Sequence, residues 1–183
     1  GEEIVSIFPA AGSINCSLYG ASKNDVLRAV KLAKSAQSQP SWRSLKPHER
    51  ARYLYAIADG IEANIDRISQ IQTRDTGKTL RETAILASSA SGTFRYFGAL
   101  LESSDDLLTA QRNDSLTMSV YEPLGLVSAI TPWNSPIASD AQKVAPALAA
   151  GNAVLLKPSS WSPLVSLELA KLVESSGLPK GLF

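Results

Sequence analysis

The sequence predicts an α/β fold in two unequal parts: a mostly helical region with peripheral strands, then the first half of a parallel sheet. Three observations predict it. Apolar residues recur at helical intervals through Val26, Ala29, Val30 and Ala33, and again through Leu54, Ile57, Ala58 and Ile61. Beyond residue 125 the short continuous apolar runs LVSAI and AVLL alternate with helical segments, the pattern of strands buried on both faces of a parallel sheet. The two later helices share one punctuation, serine then proline at the start (Ser135-Pro136, Ser162-Pro163) and glycine at the end (Gly151, Gly177).

Taken in order, Ile4 to Phe8 and Ser13 to Tyr19 flank the turn-like PAAG and predict a small hairpin. Ser22 and Asp25 have capping-box spacing and open a helix that ends before Pro40. Pro47 suits a first helical turn, and the stripe through Ile61 continues at Ile65 and Ile68 in a second segment that Gly77 stops. Thr79 and Glu82 repeat the capping box ahead of a long helix toward Leu101, with Gly92 and Gly98 as soft spots inside it. Asn113-Asp114 is a turn signal, after which Leu116, Met118 and Val120 alternate with polar residues as in a half-buried strand. The strand LVSAI, a helix from Pro136 to Ala150, the strand AVLL and a helix from Pro163 to Ser176 complete the chain.

Composition narrows the function. With 183 residues, 44% hydrophobic and 19% charged, the chain has the make-up of a globular protein rather than a disordered one. Lys plus Arg is 18 and Asp plus Glu 17, so no strong field draws nucleic acid or an anionic membrane. Cys16 is the single cysteine and His48 the single histidine, which excludes a disulfide framework and makes a zinc site improbable. The N-terminus GEEIVSIFPAAG is acidic, and no apolar run approaches the ~18 residues of a membrane span. The expected setting is cytoplasmic, with a removed targeting segment left open.

In an open parallel sheet, ligands bind beyond the strands' C-terminal ends, where ITPWNSP and KPSS both fall. Asn134 is the candidate donor to an oxygen that becomes negative during reaction, although an asparagine in a turn ordinarily bonds nearby backbone instead. Lys157 is placed to reach ribose hydroxyls or phosphate, against its ordinary reading as a solvated charge. Cys16 lies in the hairpin without a base or positive neighbour to activate it, and His48 sits in an ordinary helix start. Arg50, Arg52 and Glu49 read as a solvated helix face and DTGK as a helix stop. Neither common glycine-rich phosphate loop is present.

The stretches EPLGLVSAITPWNSP, KVAPALAAGNAVLLKPSSWSPL and SGLPKGLF closely resemble the aldehyde dehydrogenase superfamily, in order and with its spacing. The likeness continues backward, less sharply, through SWRSLKPHERARYLYAIADGIE and RDTGKTLRETA. The resemblance implies oxidation of an aldehyde to a carboxylic acid with NAD or NADP: thiol attack, hydride transfer from the thiohemiacetal, then thioester hydrolysis. It implies that Asn134 steadies the oxyanion, that Ile130, Thr131, Pro132 and Trp133 line the nicotinamide-ribose side, and that Lys157, Pro158, Ser159 and Ser160 form the adenosine-ribose edge. Many NAD-preferring relatives carry glutamate where this chain has Ser160, so the resemblance points to NADP acceptance. Ser135, Ser139 and Gln142 would line the aldehyde tunnel, where many relatives have large apolar side chains, which points away from simple aliphatic aldehydes.

By the same resemblance residues 1–112 are a helical part of the cofactor-binding domain, 113–124 an oligomerisation strand that includes Leu116 to Tyr121, and 125–183 the opening βαβα of a Rossmann-like sheet. A homodimer or homotetramer is implied, with no metal, nucleic acid or membrane partner. The family's nucleophilic cysteine, general-base glutamate and glycine-containing phosphate turn find no match, and the motifs do not align Cys16 with the nucleophile. The chain is thus expected to be an N-terminal portion that does not turn over alone. The alternative is a non-catalytic module that binds nucleotide or pairs with full-length subunits.

Overall fold

The structure, a computed structural model, describes residues 1–109 and 111–183. Strands β1 (Glu3–Ile7) and β2 (Ile14–Tyr19) form the expected antiparallel hairpin, with the register shifting after Ser6. Helix α1 (Lys23–Gln37) begins at the Ser22 capping box: the Asp25 amide donates to Ser22 Oγ at 3.2 Å and the Ser22 amide to Asp25 Oδ2 at 3.0 Å. The short α2 (Pro40–Arg43) carries the fully buried Trp42 into the core. Helices α3 (Pro47–Glu62) and α4 (Ile65–Thr76) follow. Gly77 closes α4 in the left-handed region at φ 75°, where a side chain would be strained.

Helix α5 (Leu80–Ser103) starts at the Thr79–Glu82 capping box and packs against α3, α4 and α6. Its two glycines differ. A Cβ on Gly92 would meet open space, as expected of a soft spot, whereas one on Gly98 would lie 2.7 Å from the Tyr55 ring. Gly98 therefore lies against the Tyr55 ring of α3, which would have to shift to admit a methyl. On the surface, Arg95 bridges α5 to Asp59 and Glu62 of α3, and its hydrogen bonds hold the Glu62 carboxyl down to about 2.

Strands β3 (Leu107–Thr109) and β4 (Thr117–Ser119) form a second antiparallel hairpin. Only its second strand was expected, and it is exposed on both faces rather than half-buried. Strands β5 (Leu126–Ile130) and β6 (Ala153–Lys157) run parallel and in register from Leu126–Ala153 to Ile130–Lys157. Helix α6 (Pro136–Ala149) connects them and α7 (Leu164–Ser175) follows β6. The α/β expectation is thus met. LVSAI departs from full burial: Ser128 and Ile130 are exposed, because the outer side of β5 has no cover among the described residues. One core joins Trp42, Leu54, Ile57 and Phe94 of the helical region to Ile137, Leu148 and Leu169 of the α/β region. Among the described residues no helix is long and apolar enough to cross a membrane.

Candidate functional site

Because β5 and β6 are parallel and in register, both end at the same level, and the turns that follow, 131–135 and 158–162, lie side by side. The Thr131 amide extends the ladder by donating to the Lys157 carbonyl at 3.2 Å. Farther out, Ser162 Oγ donates to the Trp133 carbonyl at 3.4 Å, and the Trp133 and Trp161 rings meet at 6.0 Å. The result is a crevice between two joined lips.

On the first lip, Ile130, Pro132, Trp133 and Asn134 are exposed. Thr131 is not: its side chain turns inward and is 4% exposed, so it is the backbone of this residue that borders the crevice. Ser135 stands at the N-cap of α6 and makes no side-chain capping bond. Ser139 is half-buried and Gln142 exposed on α6, and Gln142 shares with Ile130 an open groove of about 460 Å3 against β5. On the second lip, Lys157 and Ser160 are exposed, Pro158 and Ser159 partly so. Among the described residues the Lys157 ammonium bonds only the adjacent Pro158 carbonyl, at 3.2 Å, and Ser159 Oγ accepts from the Trp161 amide at 3.2 Å.

The polar groups that hold the lips come from elsewhere. The first turn of a helix has amides without partners, and serine commonly supplies an acceptor. Here neither serine before proline does so. Gln72 of α4, fully buried, accepts from the Ile137 amide through Oε1 at 3.1 Å. Three residues along the same helix, Asp75 accepts from the Leu164 amide at 2.7 Å through one oxygen and from Ser6 Oγ at 2.9 Å through the other. Burial pushes the Asp75 carboxyl above its ordinary range, opposed by the Ser6 hydroxyl and the Leu164 and Val165 amides. At the far end of α6, Trp42 Nε1 donates to the Gly151 carbonyl at 2.8 Å and Arg50 Nε to that of Ala149 at 3.1 Å. Arg50 and Asp75, expected as a solvated charge and part of a helix stop, are both structural ties to the α/β region.

Beneath the lips, Asp140 of α6 is fully buried and accepts from Ser166 Oγ of α7 at 2.5 Å. Burial pushes its carboxyl up, opposed by the hydroxyls of Ser166 and Thr131. The Thr131 hydroxyl faces it without completing a hydrogen bond, and Asp140 Oδ1 has no partner among the described residues. Sequence reading missed Gln72, Asp75 and Asp140. The available signal was placement: Gln72 and Asp75 continue the helical stripe of Ile65 and Ile68, and Asp140 lies between Ile137, Ala141 and Val144.

Chemically, the crevice offers a free amide at Asn134, an exposed ammonium at Lys157 and a neutral hydroxyl at Ser160, the donor set for an oxyanion and a ribose or phosphate group. Among the described residues no cluster of three His, Cys, Asp or Glu is placed to hold a metal. Cys16 is a half-buried free thiol on β2. A larger groove of about 530 Å3 runs between β6, α7 and the last residues, lined mainly by apolar side chains such as Leu156, Leu167 and Phe183, with Pro158 at its rim. It holds none of the three polar groups of the crevice.

Residues 1–183 match the aldehyde dehydrogenase family over their whole length. The chain belongs to this family. Betaine aldehyde dehydrogenase 2 of Rhizobium meliloti is 41% identical over 186 residues, covering 100% of this chain and 38% of that protein. (Z)-2-((N-methylformamido)methylene)-5-hydroxybutyrolactone dehydrogenase of Acinetobacter baylyi is 38% identical, covering 97% of this chain and 36% of that one. Among solved structures, an aldehyde dehydrogenase from Pseudomonas aeruginosa superposes with a TM-score of 0.97 at 33% identity, over 100% of this chain and 37% of that one. A betaine aldehyde dehydrogenase from Staphylococcus aureus in complex with NAD+ gives 0.94 at 31%, over 98% and 37%. The chain spans little more than a third of the length of these aldehyde dehydrogenases.

Proposed function

We propose that the chain forms the cofactor-side portion of an NAD(P)-dependent aldehyde dehydrogenase that oxidises an aldehyde to a carboxylic acid, with residues 1–112, 113–124 and 125–183 serving as helical support, oligomerisation strand and first half of the Rossmann-like sheet. One observation carries the reading. The structural work open to a turn asparagine, capping the following helix, is done by Gln72, and Asn134 is left exposed without a hydrogen bond among the described residues. Its amide is free to donate to the oxygen that becomes negative when a nucleophile adds to the aldehyde carbon.

The residues present fit a nicotinamide dinucleotide. Lys157 supplies a point charge and Ser160 a hydroxyl at the edge that would meet the adenosine ribose, and the exposed Ile130 and Trp133 supply apolar surface on the nicotinamide side. A bound nicotinamide provides the hydride acceptor for the oxidation. Ser160 is neutral and leaves room for a 2′-phosphate that a carboxylate would repel, so NADP is accepted as well as NAD. Ser135, Ser139 and Gln142 favour polar or bulky aldehydes, a reading in keeping with the betaine aldehyde and hydroxybutyrolactone dehydrogenases among the relatives. The exposed β3–β4 hairpin supports a homodimer or homotetramer, and the proposed setting is cytoplasmic.

The test is the appearance of reduced cofactor in the full-length protein with each nicotinamide and an aldehyde panel. Turnover with NADP, and higher kcat/KM for polar or bulky aldehydes than for acetaldehyde-sized ones, is expected. Ser160→Glu is expected to move the preference toward NAD by ~1.5 to 3 kcal/mol, the worth of one charge-assisted contact. No reduced cofactor with any aldehyde overturns the proposal, and strict NAD use overturns its NADP part.

A further inference from the structure

We propose that Gln72 and Asp75 are positioning residues, Gln72 setting the lip that carries Asn134 and Asp75 the lip that carries Lys157 to Ser160. The inference rests on the functional reading above and deepens it. Both side chains are buried, at 0% and 2% exposure, on one face of α4, and each ends on the first turn of a different helix. Gln72 holds Ile137, three residues beyond Asn134; Asp75 holds Leu164, which directly follows the loop carrying Ser159 to Pro163. The local serines that could have capped these helices do not: Ser135 makes no capping bond, and Ser162 bonds the opposite lip. The position of each helix start, and of the turn leading into it, is therefore referred to α4.

The atoms assign separate duties. Gln72 acts through Oε1 alone, since its Nε2 has no partner among the described residues. Its loss frees the start of α6 and the Asn134 amide, which counts most in the transition state, while the Lys157–Ser160 edge keeps its own tie to α4. Asp75 ties the start of α7 to β1 through Ser6, so its loss frees the Lys157–Ser160 edge, which counts in cofactor affinity.

The experiment uses the full-length protein with NADP+ as probe, and reads kcat, cofactor Kd and hydrogen exchange at the Ile137 and Leu164 amides. Gln72→Met keeps the side-chain volume and removes the acceptor. It is expected to lower kcat on the order of 10-fold to 100-fold, the cost of misplacing a reacting group by about an ångström, with Kd changed much less than kcat and exchange faster chiefly at Ile137. Asp75→Ala is expected to raise Kd about tenfold with kcat at saturation nearly unchanged, about 1.4 kcal/mol, and exchange faster at Leu164 only. Gln72→Glu and Asp75→Asn each keep an acceptor and are expected to restore their own readout. Should either broken variant fail to fold, the conservative pair still decides: Glu or Asn behaving no differently from a mere loss of the acceptor overturns the proposal. Exchange rising at both amides together, or kcat and Kd moving in parallel in both variants, also overturns it. A parent protein that neither binds nor reduces a nicotinamide overturns the functional reading and this one with it; separable exchange without separable kcat and Kd overturns this one alone.

Discussion

Helix α6 and the β3–β4 hairpin are both rich in small or apolar residues, yet the chain treats them oppositely. Ten of the fourteen residues of α6 are buried, and the helix is gripped at both ends by side chains from far away in sequence, Gln72 at its start and Trp42 and Arg50 at its finish. In the hairpin Leu107, Leu108 and Met118 are each more than 60% exposed, and the side-chain hydrogen bonds among its described residues stay within it, from Thr109 to the Thr117 carbonyl and from Ser115 to Asp114. The difference separates two uses of apolar sequence. In α6 it closes a core whose polar ties aim a crevice, whereas in the hairpin it is left as surface, the kind of patch that marks an association site.

The comparison is sharpened most by Ile137→Ala. Ile137 is fully buried in the first turn of α6, after the lip that carries Asn134, and its truncation is expected to cost ~2 to 5 kcal/mol in denaturant unfolding. A loss below that of a surface substitution would mean that α6 is no more enclosed than the hairpin. Gly98→Ala comes next. The added methyl would lie 2.7 Å from Tyr55, in the α3–α5 contact that supports α6, and is expected to cost ~1 to 3 kcal/mol. Gly92→Ala on the same helix meets nothing and is expected to gain ~0.5 to 1 kcal/mol; equal effects at the two glycines would break the packing account.

Asp140 gives a pH dependence. Burial raises its carboxyl in the folded chain, so the folded state holds the proton more tightly than the unfolded one. Its contribution to stability therefore falls as pH rises from the unfolded value through the raised folded value, and is flat above. Asp140→Asn removes that loss and offers an amide to the Thr131 hydroxyl. The Tm difference between variant and parent is expected to grow as pH rises out of the acid range and to level off above it. A difference that grows toward acid pH would contradict the assignment. The smallest effect belongs to the hairpin: Met118→Ser is expected to change stability by less than ~0.5 kcal/mol while lowering self-association in light scattering. A stability loss as large as that of Ile137→Ala would show the hairpin covered within the chain.

What the sequence disclosed follows from the reach of each signal. The capping boxes at Ser22–Asp25 and Thr79–Glu82 were legible because both halves lie three residues apart, and both form. The glycine stops and the parallel strand pair were legible for the same local reason. The ties that aim the crevice were not, because Gln72 meets Ile137 across 65 residues, Asp75 meets Leu164 across 89, and Arg50 meets Ala149 across 99. A buried polar side chain and a solvated one look alike until the partner is known. Only their place in an apolar helical stripe distinguishes Gln72 and Asp75, and the turn signal of DTGK beside Asp75 masks it. Asn134 was legible through its motif, but its freedom from capping duty needed the structure.

That freedom is the central claim, and kcat of Asn134→Ala in the full-length protein tests it most directly. A fall of ~10²-fold to 10³-fold, the usual cost of losing one oxyanion donor, is expected, with cofactor Kd and thermal stability close to those of the parent because no internal bond is lost. Near-normal kcat in the folded variant, or a loss of stability comparable to that of a missing cap, would contradict it and return Asn134 to the ordinary work of a turn residue.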